Sequence, residues 1–182
     1  EGRLPLRYYG TYQIFTPERA AKAIAEVKRY RLQYGGPLLR FNSVKVFMDG
    51  ISANQSASYT QPYIGSGITS EPLLSTEELT ALLLALHKAK LDLMVHSIGD
   101  RAIQTVLDAV EAAQAEVEDV FYPRVTVAHL ALIDPADLNR IEALGVVANF
   151  SPWWFGVESS PVVRDLLGPE RYDAMYPART VV

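Results

Sequence analysis

Leu91-Asp92-Leu93-Met94-Val95-His96-Ser97-Ile98-Gly99-Asp100-Arg101-Ala102 decides the fold. Leu91 to His96 reads as a short apolar strand. A Ser-Ile-Gly turn follows, and Asp100 caps a helix running from about Arg101 to Glu116. A strand that feeds at once into a helix is half of a parallel crossover unit. The same unit recurs on both sides. Ser75-Thr76-Glu77-Glu78 is a capping box opening a helix to about Lys90. Val125 to Leu130 is a strand, Asp134-Pro135 opens a helix ending at Gly145, and Val146 to Phe150 is another strand. A last helical stretch, about Pro161 to Tyr176, is broken by Gly168-Pro169. Toward the start, Ser43 to Met48 is a strand. It is preceded by a helix that Thr16-Pro17-Glu18 opens and Gly35-Gly36-Pro37 stops. Leu4 to Tyr9 reads as the first strand.

Strand and helix thus alternate five times, which implies a parallel α/β sheet with right-handed crossovers. Two architectures fit: a doubly wound open sheet, or part of an eight-stranded βα barrel. The 182 residues suit a single domain. Residues 49–74 break the rhythm. They hold Gly50, Pro62, Gly65, Gly67 and Pro72 and form a loop longer than ordinary connections, of the kind that is functional or mobile. Within it, Ser58 to Tyr63 reads as a lid.

Composition excludes several roles. Lys plus Arg is 17 and Asp plus Glu 21, a net charge of −4, which argues against a nucleic-acid surface or a polybasic membrane patch. There is no cysteine, so disulfides, thiolate nucleophiles and Cys-ligated metals are out. Apolar runs such as Leu82 to Leu86 are far short of the roughly 20 residues of a membrane helix. No charged-then-apolar leader is visible, and the expected location is cytoplasmic. The chain starts at Glu1 without Met, and the sharper reading of that is a piece of a longer enzyme.

In either architecture, chemistry gathers at the carboxyl ends of the strands. Those ends carry Lys45 with Asp49-Gly50, His96, His129, and Asn149-Phe150-Ser151. Two of the three histidines end successive strands, and a metal or an acid–base role at one shared cleft stands beside the ordinary structural reading. His87, inside a helix without an evident partner, reads as surface or packing. Lys45 on a parallel strand is costly unless paired or neutral. A neutral lysine amine can capture carbon dioxide as a carbamate, an anionic ligand able to bridge two metals. Asp49-Gly50 has an ordinary turn reading and Asp100 an ordinary capping one. Trp153 and Trp154, just past a strand end, are candidates to line an apolar pocket. Gly-x-Gly-x-x-Gly, the P-loop and the Gly-x-Ser-x-Gly elbow are all missing.

Four blocks in order, one per βα unit, carry a resemblance. They are Val44-Lys45-Val46-Phe47-Met48-Asp49-Gly50, Met94-Val95-His96-Ser97-Ile98-Gly99-Asp100-Arg101-Ala102, Val127-Ala128-His129, and Gly145 through Trp154. Together they resemble the metal-dependent amidohydrolase superfamily, of the amidohydrolase 3 type, in the subgroup that includes N-substituted formamide deformylases. The resemblance implies a TIM-type (β/α)8 barrel with a divalent metal, usually zinc, at the carboxyl ends of the strands. It implies that Lys45, His96 and His129 are metal ligands, with Lys45 open to carbamylation. Asp49 and Asp100 then read as structural or supporting residues, and Trp153 and Trp154 as the wall of a pocket for a small amide-type substrate.

The superfamily's His-x-His pair and its last-strand Asp have no counterpart here. The expectation is therefore one partial barrel domain over 1–182, about strands three to seven, from a hydrolase of amide or other C–N bonds. Such a piece is expected to be inactive alone and to associate as a homo-oligomer through open sheet edges. The alternative is a non-catalytic α/β binding module that keeps the strand-end pocket.

Overall fold

The computed structural model describes residues 6–181. Its elements are β1 (Tyr8–Ile14), α1 (Pro17–Tyr34), β2 (Leu39–Phe47), a 3-10 turn (Ser52–Asn54), α2 (Thr76–Ala89), β3 (Asp92–Ser97), α3 (Asp100–Ala115), β4 (Val125–His129), α4 (Leu138–Ala143), β5 (Val147–Asn149), α5 (Pro152–Glu158), α6 (Pro161–Leu167), α7 (Pro169–Asp173) and α8 (Ala178–Val181).

The five strands form one sheet in the order β1-β2-β3-β4-β5, every pair parallel. That order separates the two candidate architectures. A doubly wound sheet reverses its strand order partway and places helices on both faces. Strands laid down strictly in sequence, each joined by a right-handed crossover, keep all crossovers on one face and curl as in a barrel. This is a run of consecutive βα units in the sequential parallel order of a TIM-type barrel.

Side-chain alternation fits that geometry. Val44, Val46, Leu93, Val95, Val125 and Val127 are buried and join the main core with Leu79, Leu83 and Leu86 of α2 and Ile103, Val106 and Val110 of α3. The alternate positions, Ser43, Lys45, Phe47, Met94 and Thr126, are only part-buried, on the face the crossover helices do not cover.

Local chemistry explains most boundaries. The capping box is formed: Ser75 Oγ accepts from Glu78 N, and Glu78 accepts from Ser75 N at 2.9 Å. Thr16 is the N-cap of α1 with Pro17 in its first turn, although no side-chain cap bond forms.

The first strand lies at Tyr8–Ile14 rather than Leu4 to Tyr9, whose first two residues lie outside the described residues. Leu6 and Tyr9 are exposed, whereas Tyr12 and Ile14 are buried and pair with β2. Asp100 is the first residue of α3, not its cap, which is Gly99. The helix expected from Asp134 starts only at Leu138, because Asp134 Oδ1 accepts from Ala136 N and holds a turn there. The helical stretch from Pro161 divides into α6 and α7 at Gly168, where φ is +80°. His87 is not without a partner: its Nδ1 accepts from Tyr122 N at 3.1 Å, and its Nε2 lies 3.3 Å from Asp119.

The 49–74 segment departs most from expectation. Tyr59 and Tyr63 are 1% and 2% exposed, so Ser58 to Tyr63 is no lid. With Ala57, Ile98, Ala131, Leu132, Val163 and Leu167 they form a second apolar cluster, roofing the carboxyl ends of the strands.

Candidate active site

Lys45, His96, His129 and Trp154 line one cavity of about 410 Å³ at the carboxyl ends of β2, β3 and β4, together with Phe47, Asp49, Gly50 and Asn54. Lys45 lies on β2, its Nζ 4.7 Å from the centre of the Phe47 ring. His96 lies on β3, its ring 5.5 Å from that of Phe47. His129 is the last residue of β4.

The two histidines are not register equivalents. His96 pairs with Ala128, and His129 pairs with Ser97. In a regular strand His129 would therefore face away from the side that His96 faces. It does not, because β4 ends there in left-handed backbone: φ is +81° at His129 and +50° at Leu130. Such conformations are uncommon for non-glycine residues and gather at functional sites. The turn brings the two imidazoles edge to face with centroids 4.7 Å apart. Trp154, from α5, meets both rings, 4.8 Å from His129 and 6.3 Å from His96.

Asp49 organises the site from behind. Its side chain is wholly buried. One carboxylate oxygen accepts from Ile98 N at 3.0 Å, and the other from Gly99 N at 2.9 Å and Ser58 N at 3.0 Å. It ties the 56–60 segment to the β3–α3 turn. Gly99 makes that approach possible, since a Cβ there would sit 2.0 Å from Ser58 O. Oδ1 of Asp49 also lies 3.5 Å from His96 Nε2, which donates to Gly50 O at 2.9 Å. A neutral ring with Nε2–H committed to a carbonyl presents its lone pair at Nδ1.

Burial sets the protonation states. It pushes His129 down to about 4, helped by neighbouring His96 and Lys45. Burial also lowers His96 and Lys45. Asp49 is driven up to about 7 by burial, against the three backbone N–H donors that favour its charged form. The cavity therefore presents two neutral imidazoles.

Asp100 lies apart from this group. Its carboxylate accepts from Thr60 N at 2.9 Å, Thr60 Oγ1 at 2.5 Å and Arg101 N at 2.9 Å, and it borders a different cavity. It is structural. Trp153 is 85% exposed and lines no part of the histidine cavity, because the turn into α5 points its neighbour Trp154 inward instead. One residue had no signal in the sequence: Glu158, fully buried and bonded to the 3-10 turn at Ser52.

The donor set fits a divalent metal in part. His129 Nδ1 is buried without a partner. Neutral imidazole nitrogen is the form that binds metal, and unsatisfied buried nitrogen is otherwise costly. Among the described residues, no three His, Cys, Asp or Glu side chains gather as a metal-holding cluster. Two imidazoles and a lysine amine fall short of the three protein ligands usual at a catalytic zinc.

The comparisons agree with the fold. The chain is 28% identical over 174 residues to the exoenzymes regulatory protein AepA of Pectobacterium carotovorum subsp. carotovorum, covering 94% of this chain and 37% of that protein. It is 30% identical over 148 residues to the protein LONG AFTER FAR-RED 3 of Arabidopsis thaliana, covering 78% of this chain and 24% of that one. It thus spans well under half the length of either relative. It superposes on an uncharacterized metal-dependent hydrolase of Pyrococcus furiosus with a TM-score of 0.79 and 24% identity, covering 98% of this chain and 35% of that one. The amidohydrolase family model matches residues 1–182. With its strand order and the whole of its length matched, the chain belongs to the amidohydrolase family.

Proposed function

We propose that this chain supplies part of the active site of a metal-dependent hydrolase of amide or other C–N bonds. The observation that carries the reading is the pair of neutral imidazoles brought together at adjacent strand ends, one with a buried, partnerless Nδ1. His96, through Nδ1, and His129 would hold the ion, zinc in our reading. Lys45 would join them as an amine or, after adding carbon dioxide and losing a proton, as a carbamate. A bound divalent ion polarises a carbonyl and lowers the pKa of water to about 7.

The chain's own residues do the rest. Asp49 and Gly50 O hold the His96 ring in one orientation. Trp154 and Phe47 give the cavity flat apolar walls, suited to a small amide with an apolar substituent. N-substituted formamides are the first substrates to try. A cytoplasmic location belongs to the same proposal and is checked by cell fractionation. No helix among the described residues is long and apolar enough to cross a membrane.

The test is metal binding. Cobalt or zinc titrated into the protein should bind at the histidine pair, and His96→Ala with His129→Asn should abolish uptake. A mass increase of one carbon dioxide on Lys45 in the metal-loaded protein would support the carbamate. The second reading, a binding module without chemistry, draws on the lack of a three-ligand cluster among the described residues. It prevails if the protein takes up no metal.

A further inference from the structure

The wall of the cavity stands on an element that cannot hold itself. Helix α5 is seven residues long, and isolated helices of that length are unstable in water. Trp154 and Glu158 are four apart on it and so share one face. Trp154 meets the histidine pair, while Glu158 turns into the protein and is wholly buried. One Glu158 oxygen accepts from Ser52 N at 3.3 Å, across 106 residues of chain. Ser52 Oγ shares a 2.6 Å hydrogen bond with Tyr59 OH, within the second apolar cluster. The other Glu158 oxygen has no partner. A buried carboxylate with one bare oxygen is costly, so this geometry favours the neutral acid. Burial shifts Glu158 in the same direction. Among the described residues, this is the one hydrogen bond from an α5 side chain to the 49–74 segment.

We propose that Glu158 is a positioning residue: docked on the Ser52 amide, it seats α5 so that Trp154 closes one wall of the His96–His129 cavity. The importance of that wall rests on the proposed reaction site. The placement of Trp154 does not, and the test reads placement without turnover, so a failure to bind metal leaves it interpretable.

The chain has two tryptophans, and Trp153→Phe leaves Trp154 as sole reporter. Acrylamide quenching of its fluorescence is then compared across variants, with far-UV circular dichroism as the check on folding. Glu158→Ala should raise the quenching constant roughly twofold as α5 opens locally. Glu158→Gln should match the parent, because its amide oxygen still accepts from Ser52 N and carries no charge. Ser52→Pro deletes the donor without touching Glu158, and Ile51, at φ −125° and ψ 156°, suits the residue before a proline. It should open Trp154 as Glu158→Ala does. If Glu158→Ala does not fold, the other two variants decide. The proposal is overturned if Glu158→Ala or Ser52→Pro quenches like the parent, or if Glu158→Gln is as open as Glu158→Ala.

Discussion

His129 meets His96 edge-on across two neighbouring strands although the register sets it opposite Ser97. The pairing exists because β4 turns left-handed at its last residue, with φ at +81°. A site built on a backbone turn has consequences for which substitutions are informative.

Asparagine tolerates left-handed backbone better than most residues. His129→Asn should therefore keep the turn while removing the imidazole. Its fold, followed by circular dichroism, should be native, and its affinity for zinc or cobalt at least about 10-fold below that of the parent, the scale on which metal sites respond to disturbed ligation. Binding by the parent should itself be weak or partial, with Lys45 unmodified when no metal is present. Calorimetric titration reads the affinity and mass spectrometry the lysine. Full occupancy of two ions in the parent would point to ligands beyond Lys45, His96 and His129.

The buried neutral histidine also makes stability depend on pH. Folding lowers His129 from its usual value to about 4, so between about 6.5 and 4 the unfolded chain takes up a proton that the native one refuses. Its contribution is nil above that window and turns increasingly unfavourable as pH falls, by at most about 1.4 kcal/mol per pH unit. Asp49, raised from 3.8 to about 7, acts in the opposite sense, losing stability as pH rises between those two values. The stability of the parent minus that of His129→Asn isolates the histidine. Measured by urea unfolding at pH 7 and pH 4.5, that difference should shrink at the lower pH. A difference independent of pH would show that His129 titrates normally in the native protein.

Asp49 and Gly99 form one clamp and should fail together. Asp49→Ala strips an acceptor from three backbone N–H groups and should destabilise by about 3–5 kcal/mol. Gly99→Ala drives a Cβ into the Ser58 carbonyl and should cost about 1–3 kcal/mol. Both should open the 52–66 stretch to limited proteolysis before the sheet unfolds. Equal proteolysis of parent and variants would mean that the second apolar cluster alone holds that segment.

The sheet ends on β1 and β5, each paired on one side only among the described residues. Tyr8, Tyr9 and Val147 on those strands are exposed. Open edges template pairing with another chain. Sedimentation at tens of micromolar should find a homo-oligomer, a dimer first, and charged substitutions at Tyr9 or Val147 should dissociate it. A stable monomer would mean that the edges are protected in another way.

The five strand–helix units, the parallel sheet and the membership of Lys45, His96 and His129 in one strand-end group were legible in the sequence. Each depends on short-range periodicity, caps such as Ser75 with Glu78, and position along a unit. Those are properties that a few consecutive residues carry. The sequential strand order needed the structure, because pairing is a relation between segments tens of residues apart.

The fate of the 49–74 segment also needed it. Its glycines and prolines mark irregular backbone but say nothing of whether Tyr59 and Tyr63 will be buried, which depends on α6 and α7 arriving from far along the chain. The choice between adjacent tryptophans was likewise tertiary: the turn into α5 aims Trp154 at the histidines and leaves Trp153 in solvent. Glu158 looks like any surface glutamate in the sequence. Its burial against Ser52, 106 residues away, is decided only when the short helix packs on the roof of the sheet, since a long-range contact leaves no trace in local pattern.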